Sequence, residues 1–489
     1  MKTTSIFGGV QVFQILIQII KSKIIAILLG TTGIGISGLF ISTTGFIAAI
    51  TNFGLGTSGT KSIAESYGLG NNNRIALIVS VLRKCIWITG LLGMVITLIL
   101  SPYLSQLTFG NREYTFAFVW LSLTLMLDQL TTGQQVVIRG LRKYKYLANA
   151  SLTGSIFGLF ISLPMYYFWG IDGIVPAIIG TSVLNLILSW YFVQKVNIET
   201  IKVSREITIS EGKEMLKMGF IISLSGIATV GASYIIRVFI GKYGGIEQVG
   251  LYSAGFTLLN SYVGLIFSAM AADYFPRLSA HANDNSYCQK TINEQADISF
   301  LLITPLLLIF IIFCPYIIHL LYTSDFLSID EMLYWAILGI LFRAASWSIS
   351  FVFIAKGKAK IFFFNELIAN IYTILLNIVG YYLWGLKGIG VAFVLGYIFY
   401  FIQMSYLSYI LFKIKINKQV LKILVSQIIF TIIVFFIGMY MNNIYRYILG
   451  IPIIIGCIVY SYMNLDRRIN LTSHMKYFIN KIRKVKMKK

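Results

Sequence analysis

The sequence predicts an all-α polytopic membrane protein of about 14 transmembrane helices, arranged as two six-helix repeat lobes around a central cavity plus a C-terminal helical hairpin. Three observations predict it. Of 489 residues, 57% are hydrophobic and only 12% charged, against about 25% charged in soluble domains, and the mean hydropathy is +0.79. Apolar stretches of about 20 residues, the length that crosses the hydrocarbon, recur from one end of the chain to the other. Short motifs recur slightly more than 210 residues apart. This composition excludes a soluble enzyme, a disulfide scaffold, a disordered chain and a nucleic-acid-binding module.

The spans are expected at 6–29, 36–59, 76–101, 114–138, 147–168, 173–194, 218–240, 249–272, 297–321, 331–355, 362–384, 389–412, 423–441 and 446–463. Backbone polar groups find no water in lipid, so each must be a helix or a barrel strand, and the runs are too long for strands of about ten residues. The first stretch lacks a basic n-region and a small-residue cleavage site and is read as a retained span. The last two are shorter and form the hairpin.

The net charge of +22 sits between the spans. Numbering loops alternately, 30 of the 40 Lys and Arg residues fall on the side of both termini, 4 on the opposite side and 6 inside spans. The positive-inside rule then places both termini in the cytoplasm, with the basic tail Lys476–Lys489 facing the anionic leaflet. The four cysteines form no CxxC pair and the three histidines no HExxH, so neither a metal nor a redox role is expected. Gly33-x-Gly35-x-x-Gly38 lies between two helices with no strand before it and is not a nucleotide site. No Walker A pattern and no catalytic constellation occur, so no cofactor and no enzymatic activity are expected.

The repeats set the domain organisation. Tyr167–Ala177 (YFWGIDGIVPA) matches Tyr382–Ala392 (YLWGLKGIGVA) at six of eleven positions, offset by 215. Leu29-Gly30 and Gly38-Leu39-Phe40 match Ile240-Gly241 and Gly250-Leu251-Tyr252 at 211 and 212, and Arg139-Gly140 matches Lys356-Gly357 at 217. An offset of six spans inserts both halves with the same polarity, as parallel repeats. The expected division is 1–205 for the first lobe, 206–412 for the second, 413–463 for two additional spans and 464–489 for the basic tail. Two such bundles rocking against each other make an alternating-access transporter. A channel, or a membrane scaffold without transport, is the alternative from another class.

Charge inside a bilayer costs at least ~2.5–3.5 kcal/mol per Arg or Lys at a span centre, so ionisable residues there are functional candidates. In the first span Gln11, Gln14, Gln18 and Lys21 share a face within roughly 80°, which would line a wet cavity or glue two helices. Lys23 lies off that stripe and would snorkel to the interface. Arg343 shares its face with Gly339, Ser346 and Ser350, which would form a water-filled seam or hold a buried ion pair. Arg83 shares its face with Ser80, Gly90 and Thr97, and Lys84 points about 100° away. Arg237 sits near the outer end of its span, lining the cavity or anchoring to headgroups. Asp128, with Thr124, Thr131 and Gln135 on its face, would couple transport to a proton or sodium ion, or pair with one of the arginines. The intramembrane charge is thus predominantly positive, which suits a pyrophosphate headgroup gripped by paired hydrogen bonds better than a cationic drug.

A family resemblance rests on Lys23–Gly30, Gly38-Leu39-Phe40, Phe53–Ser62, Arg237–Lys242, Val249–Ser253 and Ala355–Lys358, which occur in this order. Over about residues 5–412 the chain resembles the Wzx-type oligosaccharide flippases, the polysaccharide transport branch of the MOP superfamily. The resemblance implies movement of an undecaprenyl-pyrophosphate-linked repeat unit across the bacterial inner membrane for O-antigen or other surface polysaccharide. It also implies a polysaccharide polymerase and chain-length machinery as partners, alongside the lipid bilayer. The two extra spans resemble the fourteen-span layout of the lipid II flippase branch. A lipid II-type flippase and an ion-coupled small-molecule antiporter of the same superfamily are therefore the alternatives.

Overall fold

In a computed structural model, the backbone is described for residues 2–198, 201–441 and 443–469. Side chains are described for 13–198, for 201–441 apart from 261, 262, 265, 269 and 272, and for 444–468. The tail Lys476–Lys489 lies outside the described residues. The described residues are helical apart from turns and short loops, with no strand among them.

The first unit's helices are α1 (Lys2–Thr51), α2 (Leu55–Gly68), α3 (Asn72–Phe109), α4 (Thr115–Gly140), α5 (Tyr144–Trp169), α6 (Ile174–Gln194) and α7 (Arg205–Gly244). They are followed by α8 (Ile246–Ala280), α9 (Asn285–Leu321), α10 (Asp330–Ala355), α11 (Ala359–Phe412), α12 (Lys418–Tyr440) and α13 (Asn443–Ile469). Among the described residues, nine helical stretches are long and apolar enough to cross a membrane. Three of these, Phe13–Thr51, Tyr144–Gln194 and Ala359–Phe412, run 39, 51 and 54 residues, twice what one crossing needs. Each is broken where a glycine takes positive φ: Gly30 (62°), Gly170 (55°) and Gly385 (58°), a conformation that costs glycine little. α4 is also long enough to cross, and one of its faces is polar and lines a cavity.

The second expected span, 36–59, ends earlier. α1 stops at Thr51, the Gly54 N–H is held by Asn52 Oδ1 at 2.8 Å, and α2 starts as a separate amphipathic helix. The cause is tertiary: Gly54 (φ 63°) meets the Gly219 carbonyl so closely that a Cβ would collide with it.

The turns that repeat in sequence repeat in conformation, all at 215. Gly30 (φ 62°, ψ −163°) corresponds to Gly245 (85°, 170°). Gly170 (55°, −127°) corresponds to Gly385 (58°, −140°). Leu141 (−83°, 6°) and Lys143 (−81°, 51°) correspond to Lys356 (−85°, 8°) and Lys358 (−87°, 44°). Even the hydrogen bonds agree: Leu141, Arg142 and Lys143 donate to Val137, Arg139 and Ile138, and their counterparts to Val352, Ile354 and Phe353. The sequence offsets of 211, 212 and 217 are therefore replaced by 215, and Gly357 (φ 69°) stands where the first half has Arg142 (φ 56°). A reciprocal contact follows. A Cβ on Gly35 would strike the Ile246 carbonyl, and one on Gly250 would strike that of Thr31, the residue 215 before Ile246. Residue i meeting j while j's counterpart meets i's is the mark of a two-fold relation.

Packing divides the chain into two compact units: Met1–Phe256 with Ile318–Leu327 and Glu366–Ile374, and Thr257–Ile317 with Ser328–Asn365 and Leu375–Lys489. This grouping by contact is not a grouping by repeat, and it leaves the expected boundaries at 205, 412 and 463 as statements about sequence. The first unit has one core around Val79, Leu82, Ile86 and Ile138 and another around Phe40, Phe118, Leu121 and Ile174. The second is built around Tyr274, Ile292, Phe353 and Met404. In the second unit Arg468, near the end of α13, pairs with Asp297 of α9, which is 3% exposed.

Candidate functional site: a polar cavity inside the first unit

α1, α4, α5 and α6 enclose a cavity of ≈ 470 Å³, within the size range of small-molecule sites. α1 contributes Gln14, Gln18 and Lys21 from one face, one turn apart. α4 contributes Asp128, Thr131, Thr132 and Gln135. Small side chains of α5 make room for it: Gly154 and Gly158 alternate with Ser151 and Ser155. α6 closes the wall with Thr181, Asn185 and Ser189, spaced four apart and so stacked on one face.

Lys21 is half-buried and Asp128 is exposed to the cavity. Among the described residues neither forms an ion pair, and Ser182 of α6 neighbours the Asp128 carboxylate. An uncompensated ammonium and carboxylate persist at membrane depth only where water or a ligand solvates them. The amides and hydroxyls around them both donate and accept, the chemistry that sugar hydroxyls and hydrated ions require.

Of the sequence candidates, Gln14, Gln18, Lys21 and Asp128 thus meet in one cavity. Gln11 falls on α1, among residues whose side chains lie outside the described set. The expected pairing of Asp128 with an arginine is not observed, and of its expected face Thr131 and Gln135 line the cavity while Thr124 is buried and bonds back to Leu121.

The arginines lie elsewhere. Arg83 on α3 is half-buried and makes no hydrogen bond with a described residue; further along its face Gly90 packs on Gln129 and Thr97 is fully buried. Arg237 is half-buried, donates to the Ser233 hydroxyl and lies over the buried Tyr252 ring at 5.4 Å. Arg343 donates to Asn260 Oδ1 at 3.1 Å and lies between the rings of Phe267 and Tyr397, at 5.5 and 5.7 Å. Of its expected face, Gly339 packs on Phe393 and Ser346 is fully buried, while Arg343 itself is half-buried. Lys23 Nζ donates to the His319 and Tyr322 carbonyls at 2.6 and 2.5 Å, at the C-terminal end of α9. Lys84 donates to the Val203 carbonyl and to Thr208. The expected predominantly positive chamber is therefore not this cavity, which holds one charge of each sign.

Residues 24–331, more than half of the chain, match the family described as "Polysaccharide biosynthesis protein". The chain belongs to that family. Curated protein sequences give no match. Solved structures similar to this chain include an inward-facing multidrug resistance MATE family transporter of the MOP superfamily. It has a TM-score of 0.65 and 17% identity, covering 82% of this chain and 96% of that one. The lipid II flippase MurJ in an inward closed conformation has a TM-score of 0.70 and 15% identity, covering 95% and 98%. A MOP superfamily transporter from Pyrococcus furiosus has a TM-score of 0.57 and 16% identity, covering 83% and 93%. At these identities the likeness is one of fold: this family member has the fold of MOP superfamily transporters and is a multi-pass membrane protein.

The sequence reading missed the α5 and α6 walls. Thr181, Asn185 and Ser189 carried a usable signal, a polar stripe at four-residue spacing like that of Gln14 and Gln18. Ser151 and Ser155 were masked by the high frequency of serine as packing glue in membrane helices.

Proposed function

We propose that the protein is a flippase that moves an undecaprenyl-pyrophosphate-linked oligosaccharide across the bacterial inner membrane by alternating access, with both termini cytoplasmic. The observation that carries this reading is the cavity lined by Gln14, Gln18, Lys21, Asp128 and Asn185. Amides and hydroxyls at membrane depth match a saccharide, which needs many paired donors and acceptors and little apolar wall. The family and the fold support a cargo of this class, and MurJ is a flippase of another lipid-linked saccharide by its description. Asp128 is the coupling residue, since a carboxylate free of ion pairs can take up and release a proton or bind sodium. Arg343, set apart by its aromatic cage, is the residue that meets phosphate; Arg83 is the second candidate. The cargo is handed to a polymerase and its chain-length machinery on the outer side.

Cells lacking the protein are expected to accumulate lipid-linked glycan on the inner leaflet while remaining viable. No accumulation would refute the reading. Lysis from arrested peptidoglycan synthesis would instead identify lipid II as cargo. The free carboxylate also favours a second reading, an ion-coupled small-molecule antiporter, which predicts drug sensitivity and normal surface glycan in the same cells. Single-channel currents in planar bilayers would indicate a pore.

A further inference from the structure

We propose that the second unit holds an anionic glycerophospholipid in a groove of ≈ 590 Å³ where α11, residues 413–417 and α12 meet α9 and α10. The site is separate from the saccharide cavity and does not depend on what the protein transports. Its walls are apolar, with Ile292 and Ile349 at the base and Phe401, Ile414, Ile416 and Leu421 around them. An acyl chain fits such a surface, and water does not.

Two further observations specify the rest of the molecule. Ser405 and Ser408 line the groove, and their hydroxyls are buried with no hydrogen-bond partner among the described residues; Ser408 is 1% exposed. Other helical hydroxyls in this unit, such as those of Ser299 and Thr431, bond back to the fourth carbonyl before them. A buried unsatisfied hydroxyl is costly, so these two donors call for an acceptor from the occupant. Lys415 stands at the groove and its ammonium lies 4.8 Å from the centre of the Tyr409 ring, with that of Lys413 at 5.3 Å. Chain, then carbonyl acceptors, then negative charge is the order of groups along a glycerophospholipid. A polyprenyl chain offers no carbonyl to the serines. A zwitterionic headgroup sets its own ammonium beside the lysines. The segment belongs to the side carrying most of the basic residues, where anionic lipid attracts such clusters.

The test uses the full-length protein in nanodiscs of phosphatidylcholine with a minor fraction of phosphatidylglycerol, exchanged into detergent and read by native mass spectrometry. The wild type is expected to retain one phosphatidylglycerol in roughly tenfold preference to phosphatidylcholine, about 1.4 kcal/mol. Combined Lys413→Glu and Lys415→Glu removes the preference. Combined Ser405→Ala and Ser408→Ala lowers retention of the ester lipid several-fold. Ether-linked phosphatidylglycerol, which lacks the carbonyls, is held more weakly by the wild type and equally by the serine variant. The ether arm needs no substitution, so it decides the matter even if a variant fails to insert. Equal retention of the two headgroups, equal retention of ester and ether, or displacement by polyprenyl phosphate, which would make the groove a tail path for cargo, each overturns the proposal.

Discussion

One helix position carries opposite charges in the two halves of this protein. α4 and α10 are the same element 215 residues apart at both ends, and on that register Asp128 stands where Arg343 stands. Asp128 opens on a cavity walled with amides and hydroxyls, and its near neighbour on α6 is Ser182. Arg343 is half-buried, and the ring of Tyr397, which is 215 beyond Ser182, lies against it. The backbone has been kept while charge and neighbours have been exchanged together: small polar side chains surround a carboxylate, and aromatic rings give a guanidinium a face to lie on. The duplicated fold therefore does not imply a duplicated site.

The largest effect is expected where the halves are alike. Gly35→Leu or Gly250→Leu forces a side chain into a carbonyl, and overpacking of ~3 kcal/mol or more should leave little folded protein on size-exclusion chromatography in mild detergent. If both variants elute normally, the reciprocal contact is not tight. Next comes the unlike pair. Asp128→Asn should abolish export of surface glycan at an unchanged protein level on immunoblots, and Arg343→Ala should do the same; export persisting in both would remove this position from the mechanism. Arg343→Lys separates charge from shape: a loss of about tenfold is expected because an ammonium does not lie flat between rings, whereas full activity would show that charge alone matters. The smallest effect belongs to Lys23→Met, which removes the cation at the end of α9. A stability loss of about 1 kcal/mol, seen as a few degrees in a thermal-shift measurement with transport intact, is the expected result.

The helices could be read from the sequence because lipid leaves the chain so few options. The breaks at Gly170 and Gly385 were marked by their repeated Trp-Gly motif, and charge is so rare within apolar runs that Lys21 and Asp128 stood out. What hydropathy gives is depth, not direction. It could not tell that Arg237 would lie on Tyr252 or Arg343 between Phe267 and Tyr397, because such rings look like interface belt residues in sequence. Nor could it separate α2 from the second span, since that break is imposed by Gly219. The Asp128–Arg343 correspondence was within reach of the sequence, but the scatter of offsets between 211 and 217 hid it until backbone angles fixed the register.

The bond between Arg468 and Asp297 bears on how the last two helices can be regarded. Trimming the chain after α11 would strand a carboxylate, almost wholly enclosed, with no counter-ion, and orphaning one member of such a pair typically costs about 3–5 kcal/mol. A shortened twelve-span version would thus begin life with a liability that its full-length parent lacks. Unless Asp297 were neutralised in the same step, α12 and α13 could not be shed as a detachable appendix.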